Sequence, residues 1–277
     1  MGPVVAFQGE RGAFSEEAAR KLLGDAIEAL PCVTFDDVFD AVARGEAACA
    51  VVPIENSLAG SVLRNYELLA ARDLAVGGEV FLRISLNLIG LKGVRFEEIK
   101  KVYSHPVALA QCHRFIAEHN LTPEPAYDTA GSVKQLVRHG VRGEGAIAGT
   151  AAAEIYGAEI LAHGIEDHRE NFTRFLLVGP SPKLPEIPPA KGIKTTILFR
   201  TPNKAGALFR ALAAFALRDI NLTKLESRPI EGRPWEYSFY ADFSGDAKEP
   251  NVARAIAHLE EMCESVRVLG SYPAAEF

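Results

Sequence analysis

Val4-Val5-Ala6-Phe7-Gln8-Gly9-Glu10-Arg11-Gly12-Ala13-Phe14-Ser15-Glu16-Glu17 sets out the pattern that decides the fold. Four apolar residues read as a short buried strand. A glycine-containing turn follows, then a helix over residues 14–23, with Ser15 as its cap and two acids in its first turn. The same succession returns along the chain. Residues 48–52 are apolar and end in Pro53-Ile54-Glu55-Asn56-Ser57-Leu58-Ala59-Gly60-Ser61-Val62. Lys101-Val102-Tyr103 leads into Ser104-His105-Pro106 and a helix carrying Gln111 and Cys112. Tyr127 leads into Asp128-Thr129-Ala130-Gly131-Ser132 and a helix. Gly145-Ala146-Ile147-Ala148 leads into Gly149-Thr150 and a helix through Tyr156. Residues 35–43 give one more helical pattern. Five junctions of strand, small polar residues and helix predict an α/β fold with mixed, mostly parallel sheets. Ligands of such sheets sit beyond the carboxyl ends of the strands, where helix N-termini favour anions.

Residues 81–90 alternate and read as a strand crossing from one lobe to another, with the return near residues 165–174. A cleft between two lobes follows. Five prolines in Pro180-Ser181-Pro182-Lys183-Leu184-Pro185-Glu186-Ile187-Pro188-Pro189 mark a stiff linker and a domain boundary. Beyond it the pattern is strand (194–200), helix (204–217, opened by Thr201-Pro202-Asn203), strand (220–230), strand (235–243), helix (251–262) and strand (266–271). Glu231-Gly232-Arg233-Pro234 makes the turn between the two middle strands. That order is the ferredoxin-like βαββαβ unit, whose exposed edges favour oligomers. The expected division is 1–180 for the two-lobed part (lobe one about 1–80 and 165–180, lobe two about 81–164), 181–192 for the linker and 193–277 for the tail.

The chain has 277 residues, 48% hydrophobic and 24% charged, enough to build cores of this kind. A net charge of −6 without a basic stripe argues against nucleic acid. No apolar run has the length of a membrane span, and the N-terminus lacks the basic start of a signal peptide. Cys32, Cys49, Cys112 and Cys263 have no close-paired spacing, which suits reduced thiols of a cytoplasmic protein without a metal.

Asn171-Phe172-Thr173-Arg174-Phe175 carries the densest chemistry: a hydroxyl, a fork-shaped cation suited to a carboxylate, and two aromatic rings. In an extended strand Thr173 and Phe175 share one face and Arg174 takes the other, unless a bulge re-aims them. Taken alone, the stretch also fits an edge strand with a solvated arginine. Asn56 and Ser57 also fit plain helix caps, His105 a cap or surface residue, Phe172 and Phe175 core residues, and Glu226 with Arg228 a solvated ion pair.

Together these residues resemble the prephenate dehydratase family with a C-terminal ACT domain. The resemblance covers nearly the whole chain. It rests on Gly12-Ala13-Phe14-Ser15, on Pro53-Ile54-Glu55-Asn56-Ser57 with Gly60, on Ser104-His105-Pro106 with Leu109-Ala110-Gln111-Cys112, and on Asn171 to Phe175. In the tail it rests on Gly206-Ala207-Leu208 and Glu226-Ser227-Arg228-Pro229. Ala13 and Val107 depart from the family pattern, which usually has Thr and Gln there. The implied lobes are of the type II periplasmic-binding-protein kind. The implied reaction converts prephenate to phenylpyruvate, water and carbon dioxide in phenylalanine biosynthesis, without a cofactor or metal. Arogenate dehydratase is the alternative, and a non-catalytic amino-acid-sensing binding protein is a further one.

Thr173, Arg174 and Glu55 are the implied catalytic residues. Asn56, Ser57, Gly60, Ser15, Ser104, His105, Thr129 and Phe175 are the implied substrate-binding residues. An arginine clamped on the departing carboxylate would stabilise the ground state, so Arg174 is expected on the side-chain carboxylate instead. Thr173 is expected to donate to the leaving hydroxyl, with Glu55 or His105 supplying a proton behind it. Gly206, Ala207, Leu208, Asn221, Glu226, Ser227, Arg228 and Pro229 are the implied phenylalanine effector site. A homodimer or homotetramer is expected, with the effector between two tails.

Overall fold

A computed structural model describes residues 2–230 and 232–276. Glu231, in the expected turn, lies outside the described residues, as do Met1 and Phe277. The chain forms two compact units, Met1–Asn65 with Val80–Leu176, and Tyr66–Glu79 with Leu177–Phe277.

The first half runs β1 (Val4–Gln8), α1 (Phe14–Leu23), β2 (Glu28–Cys32), α2 (Phe35–Ala43), β3 (Cys49–Asn56), β4 (Gly60–Ser61), α3 (Leu63–Ala71) and β5 (Ala75–Arg83). It continues through β6 (Asn87–Gly90), β7 (Lys101–Ser104), α4 (Pro106–Gln111), α5 (His113–Glu118), β8 (Thr122–Pro125), α6 (Thr129–His139), β9 (Glu144–Ala148), α7 (Thr150–Tyr156), β10 (Glu159–Ala162) and β11 (Phe172–Gly179). One sheet has the order β2-β1-β3-β11-β5, with β4 paired to β3. The other, read from its far edge, is β8-β7-β9-β6-β10. In each sheet three consecutive strands stand in the order second, first, third (β2-β1-β3 and β8-β7-β9), followed by a strand next to a crossing, β11 or β6, and by β5 or β10 at the edge. Strands β1, β2 and β3 are mutually parallel, as are β7, β8 and β9, and β6 is antiparallel to β9 and β10. This is the mixed, two-lobed α/β architecture expected.

Four details depart from the sequence reading. After β3 the chain does not open a helix: Pro53 to Asn56 extend the strand, which folds back on β4 through Glu55 opposite Ser61. The first crossing is two strands, β5 and β6, with residues 84–86 between them. Ile84 N–H donates to the Asn171 carbonyl and Ile165 N–H to the Leu86 carbonyl, so the two crossings run side by side. Ser15 does not cap α1: the helix begins at Phe14 as expected, with Ala13 at its cap, so Ser15 lies inside the first turn. Glu16 does that work from inside the first turn, accepting from Gly12 N–H at 2.9 Å and from Arg11 and Arg20. Edge strands β2 and β8, with Pro31, Pro123 and Pro125, have no counterpart in the periodicity, since only an edge strand tolerates proline.

The lobes share a core. Phe7 and Ala13 pack with Ile89, Ala130, Val133, Ala148 and Ala152. Gly12 has φ +84 and a Cβ there would lie 2.8 Å from Ala152 Cα, so only glycine fits this approach.

The tail comprises β12 (Ile193–Arg200), α8 (Ala207–Ala216), β13 (Leu222–Ile230), β14 (Arg233–Ser244), α9 (Pro250–Met262) and β15 (Ser265–Pro273), the ferredoxin-like order. Its antiparallel sheet reads β13-β14-β12-β15. Phe199, Phe215, Phe243, Ala255 and Leu259 fill the core between sheet and helices. Thr201-Pro202-Asn203 precede α8 without opening it; Gly206, at φ 72, is its cap. Within the same unit, Arg267 donates to the carbonyls of Leu69 at 2.5 Å and Arg72 at 3.1 Å, near the end of α3. Tyr240 Oη donates to the Tyr66 carbonyl. The proline-rich stretch is not a free spacer: Leu184 and Ile187 occupy the places where Cβ atoms of Gly77 and Gly78 would stand.

Candidate active site

A cavity of about 570 Å³ opens among the ends of β1, β3 and β11 and the starts of α1, α4 and α6. Thr173 and Phe175 reach it from β11, Asn56 and Gly60 from the β3–β4 hairpin, Ser15 from α1, His105 from the cap of α4 and Thr129 from α6. Thr173 and Phe175 thus share one face of β11. Arg174, 6% exposed, is engaged by neighbours and does not line the cavity. Glu55 does not line it either, because β3 continues straight past Pro53 and the hairpin pairing turns it aside.

Two further expected residues prove to be struts. Ser104 is fully buried, and its hydroxyl donates to the Ile147 carbonyl at 2.5 Å, tying β7 to β9. Ser57 Oγ accepts from Phe172 N–H at 3.0 Å and donates to the Glu170 carbonyl at 3.2 Å, pinning the start of β11 to the hairpin.

Asn56 organises the reactive end. Its Oδ1 accepts from two backbone groups, Leu58 N–H at 3.0 Å and Ala59 N–H at 2.8 Å. Only an oxygen serves two N–H donors, so the amide orientation is fixed. Its Nδ2 therefore faces Thr173 Oγ1 at 2.9 Å and Asn171 Oδ1 at 2.7 Å. The Thr173 oxygen is an acceptor in that bond, which leaves its O–H for the cavity. Asn171 Nδ2 then donates to Gln111 Oε1 at 3.0 Å. Gln111 lines the cavity, and with Oε1 held by Asn171 its amino group is the end left without that partner.

The cavity's charges are few. Arg64 is paired with Asp36 at 2.5 Å. Asp128 caps α6, accepting from Ala130 and Gly131 N–H, and also takes Glu10 N–H of the other lobe at 2.7 Å. Burial pushes its carboxyl up despite those three N–H donors. His105 is exposed at the rim, yet partial desolvation of its ring pushes it down, with the Asp128 charge opposing. His105 Nδ1 accepts from Val107 N–H at 3.2 Å, so the ring is a neutral cap whose second nitrogen carries the proton. Gln8, Asp36, Arg64, Tyr127 and Asp128 were not singled out as site residues from the sequence. Gln8 and Asp128 stand at strand-to-helix junctions, the one signal that marks them; Arg64 and Asp36 reach the cavity from helices with no such mark. Among the described residues no group of three or more His, Cys, Asp or Glu side chains is placed to hold a metal ion.

The tail motifs are arranged differently. Ala207 N–H is bound to the Lys204 carbonyl at 3.1 Å, and Asn221 is exposed ahead of β13. Arg228 does not make a solvated pair with Glu226: it donates to Glu67 of α3 at 2.6 Å. A groove of about 450 Å³ beside α8 and β13 is lined by Leu212, Ala216, Leu222 and Leu225 among others, and by none of the expected effector residues.

Comparison with known proteins follows this division. The family described as Prephenate dehydratase matches residues 5–183, and the ACT domain matches residues 195–261. Arogenate dehydratase 2 of Petunia hybrida is 44% identical over 98% of this chain and 71% of its own length. Arogenate dehydratase/prephenate dehydratase 2, chloroplastic, of Arabidopsis thaliana is 44% identical over 97% and 72%. The solved prephenate dehydratase of Arthrobacter aurescens, in complex with L-Phe, has a TM-score of 0.89 at 34% identity, covering 98% of this chain and 90% of that one. A structure described as GqqA, a novel type of quorum quenching acylase, has a TM-score of 0.90 at 38% identity, with 99% of both chains covered.

Proposed function

Because this chain belongs to the prephenate dehydratase family and carries an ACT domain, we propose that it converts prephenate to phenylpyruvate for phenylalanine biosynthesis, under control by phenylalanine. One observation carries the assignment of the reacting group: Thr173 Oγ1 accepts from Asn56 and keeps its O–H for the cavity. In the proposed reaction the bond from the ring to its carboxylate breaks and carbon dioxide leaves. That electron pair completes the aromatic ring and expels the ring hydroxyl, which takes one proton, ultimately from solvent, to become water. The Thr173 hydrogen bond strengthens as negative charge gathers on the departing oxygen. Asn56, Ser15, Thr129, Gly60 and Phe175 shape the pocket for the ring and its carboxylates, with His105 at the rim. The off-cavity positions of Arg174, Glu55, Ser57 and Ser104 support structural roles for them.

Arogenate is the second reading, supported by the names of the relatives at 44% identity. An acylase of the serine–histidine kind is not supported. Its base must donate from Nδ1 to a carboxylate, and His105 Nδ1 is already an acceptor. We further propose residues 1–180 as the catalytic part, 181–192 as a linker and 193–277 as the regulatory domain. Phenylalanine would bind between the tails of a homodimer or homotetramer, through residues 206–208, Asn221 and 226–229. The four cysteines are free thiols, which supports placement in a reducing compartment such as the cytoplasm.

The test is turnover of prephenate and of arogenate by the purified protein, followed by formation of phenylpyruvate and of phenylalanine respectively. Turnover of prephenate at the higher kcat/KM is expected. Higher kcat/KM with arogenate gives the second reading, and turnover of neither overturns both.

A further inference from the structure

We propose that Asn171 is a positioning residue that sets which end of the Gln111 amide faces the substrate. The proposal rests on the dehydratase reading of the cavity. Asn171 is fully buried and does not itself line the cavity. It stands between two side chains that do, at 2.7 Å from Asn56 and 3.0 Å from Gln111.

The polarity of this row is dictated from one end. The N–H groups of Leu58 and Ala59 fix the oxygen of Asn56. Asn56 must then donate to Asn171, which must offer its oxygen to Asn56 and its amino group to Gln111. Gln111 is left accepting with Oε1, and its two N–H bonds are turned away from Asn171. Two backbone groups in the β3–β4 hairpin thus decide, three side chains away, that the cavity meets a donor at Gln111 rather than a carbonyl. A donor suits a carboxylate or keto oxygen, and a carbonyl suits an ammonium group. The two candidate substrates differ by that substitution on the side chain, a keto oxygen in one and an ammonium group in the other. The same row holds Thr173 from Asn56, so one buried amide serves both the reacting hydroxyl and the pocket's polarity.

The experiment replaces Asn171 by Asp in the full chain. The ionised carboxylate still accepts from Asn56 but cannot donate to Gln111, whose amide must rotate and present its oxygen. At neutral pH, KM for prephenate is expected to rise at least tenfold, the scale of one lost and one opposed hydrogen bond. The kcat/KM for arogenate should rise relative to that for prephenate. A carboxyl in this dry place has its pKa pushed up. Once protonated, it donates to Gln111 again, so the variant-to-parent ratio of kcat/KM should climb as pH is lowered. Glu166, Asp167, Glu170 and His105 lie on the same segment or at the cavity rim; they are common to both proteins and cancel in the ratio. In a Gln111→Ala background the Asn171→Asp change should alter KM less than twofold. If Asn171→Asp does not fold, Asn171→Leu takes its place. It should raise KM in the parent background, at a ratio flat with pH, and not in the Gln111→Ala background. Parent-like KM in the folded variant, or equal losses with and without Gln111, would overturn the assignment. A parent inactive on both substrates sinks the dehydratase reading itself, a distinct result.

Discussion

The amino end of β11 and the start of α8 both carry family motifs, yet they are built in opposite ways. At β11 Asn171, Thr173, Arg174 and Phe175 are buried, and the motif is held by the side chains of Asn56 and Ser57 from the hairpin and Gln111 from α4, and by the backbone N–H of Ile84 from the crossing. The polar groups have one orientation each, and the cavity is formed within a single chain. At α8 the motif is a backbone feature. Gly206 supplies a left-handed cap, Phe209 is 77% exposed, and Asn221 stands in solvent. On the proposed reading, the difference is that the reacting site is preorganised within one chain, while the proposed effector residues, with Gly206 and Asn221 exposed, would gain a complete site with a second tail. A regulatory switch needs a site whose affinity changes with state, and a loosely held one at an oligomer contact suits that.

The largest effect should come from the preorganised end. Thr173→Ala leaves Asn56 bound to Asn171 and should fold as the parent, yet lose about a hundredfold or more in kcat, the usual cost of a donor to developing charge. Retention of parent turnover would place the chemistry elsewhere and remove the contrast. Arg174→Ala sharpens it. This buried, engaged cation lies off the cavity, so its removal should cost about 1–3 kcal/mol of stability by leaving buried polar groups unsatisfied. The folded fraction should keep a KM within about threefold of the parent, the scatter left by losing one weak contact. A KM raised far beyond that at unchanged stability would restore Arg174 as the carboxylate clamp.

The same contrast explains what the sequence made legible. Helices α1, α2 and α7 and the βαββαβ order follow from periodicity, because amphipathic faces and strand ends are local properties. The opposite face of Arg174 was legible too, from the period of two. Glu55, Ser57 and Ser104 lie off the cavity because their places depend on where β3 stops and which strand lies beside β7. Pro53 reads locally as the end of a strand, whereas pairing with β4 carries the strand to Asn56. Asn171 could be read as part of a motif, but its partners lie 115 and 60 residues away. Likewise Arg228 finds Glu67 across 161 residues, which no spacing in the tail announces.

At α8 the expected effects are smaller and separable. Gly206→Val forces a β-branched residue to φ 72, a strain of roughly 1–2 kcal/mol. Its Cβ would also come within 3.2 Å of Arg210 Nη1, a flexible end that can move. Any loss of phenylalanine response in that variant mixes strain with a blocked ligand. Gly206→Asn avoids the mixture, since Asn tolerates the left-handed conformation. It should keep turnover within about twofold and melt near the parent, the cost of Asn for Gly at such a cap being a few tenths of a kcal/mol. Phenylalanine inhibition, read by titration and by calorimetry, should weaken strongly if a ligand backbone approaches here. Undiminished sensitivity would move the effector site to another part of the tail.

The smallest effect belongs to His105, the titratable group where the cavity meets the cap of α4. Partial desolvation holds the pKa of this exposed ring below the ordinary value of about 6.5, with Asp128 opposing, and solvent screening keeps the effect small. The unfolded chain therefore takes up the proton first. The stability this residue contributes is fully present above about 6.5 and is lost as pH falls from there toward the lower folded value. The structural reason is visible: protonation removes the Nδ1 lone pair that accepts Val107 N–H. His105→Asn keeps an acceptor at the cap without a titrating ring, so the variant should melt within about 1 kcal/mol of the parent at neutral pH, the scale of one cap. Melting curves from pH 5.5 to 8 should show the parent losing more stability than the variant on the acid side, and the two running parallel above neutrality. Because the ring is neutral throughout that upper range, kcat/KM of the parent should be level there. An acid-side loss that the Asn variant shares in full would assign the titration to another group, with Asp128 the first to examine because its carboxyl is pushed up in the same cavity.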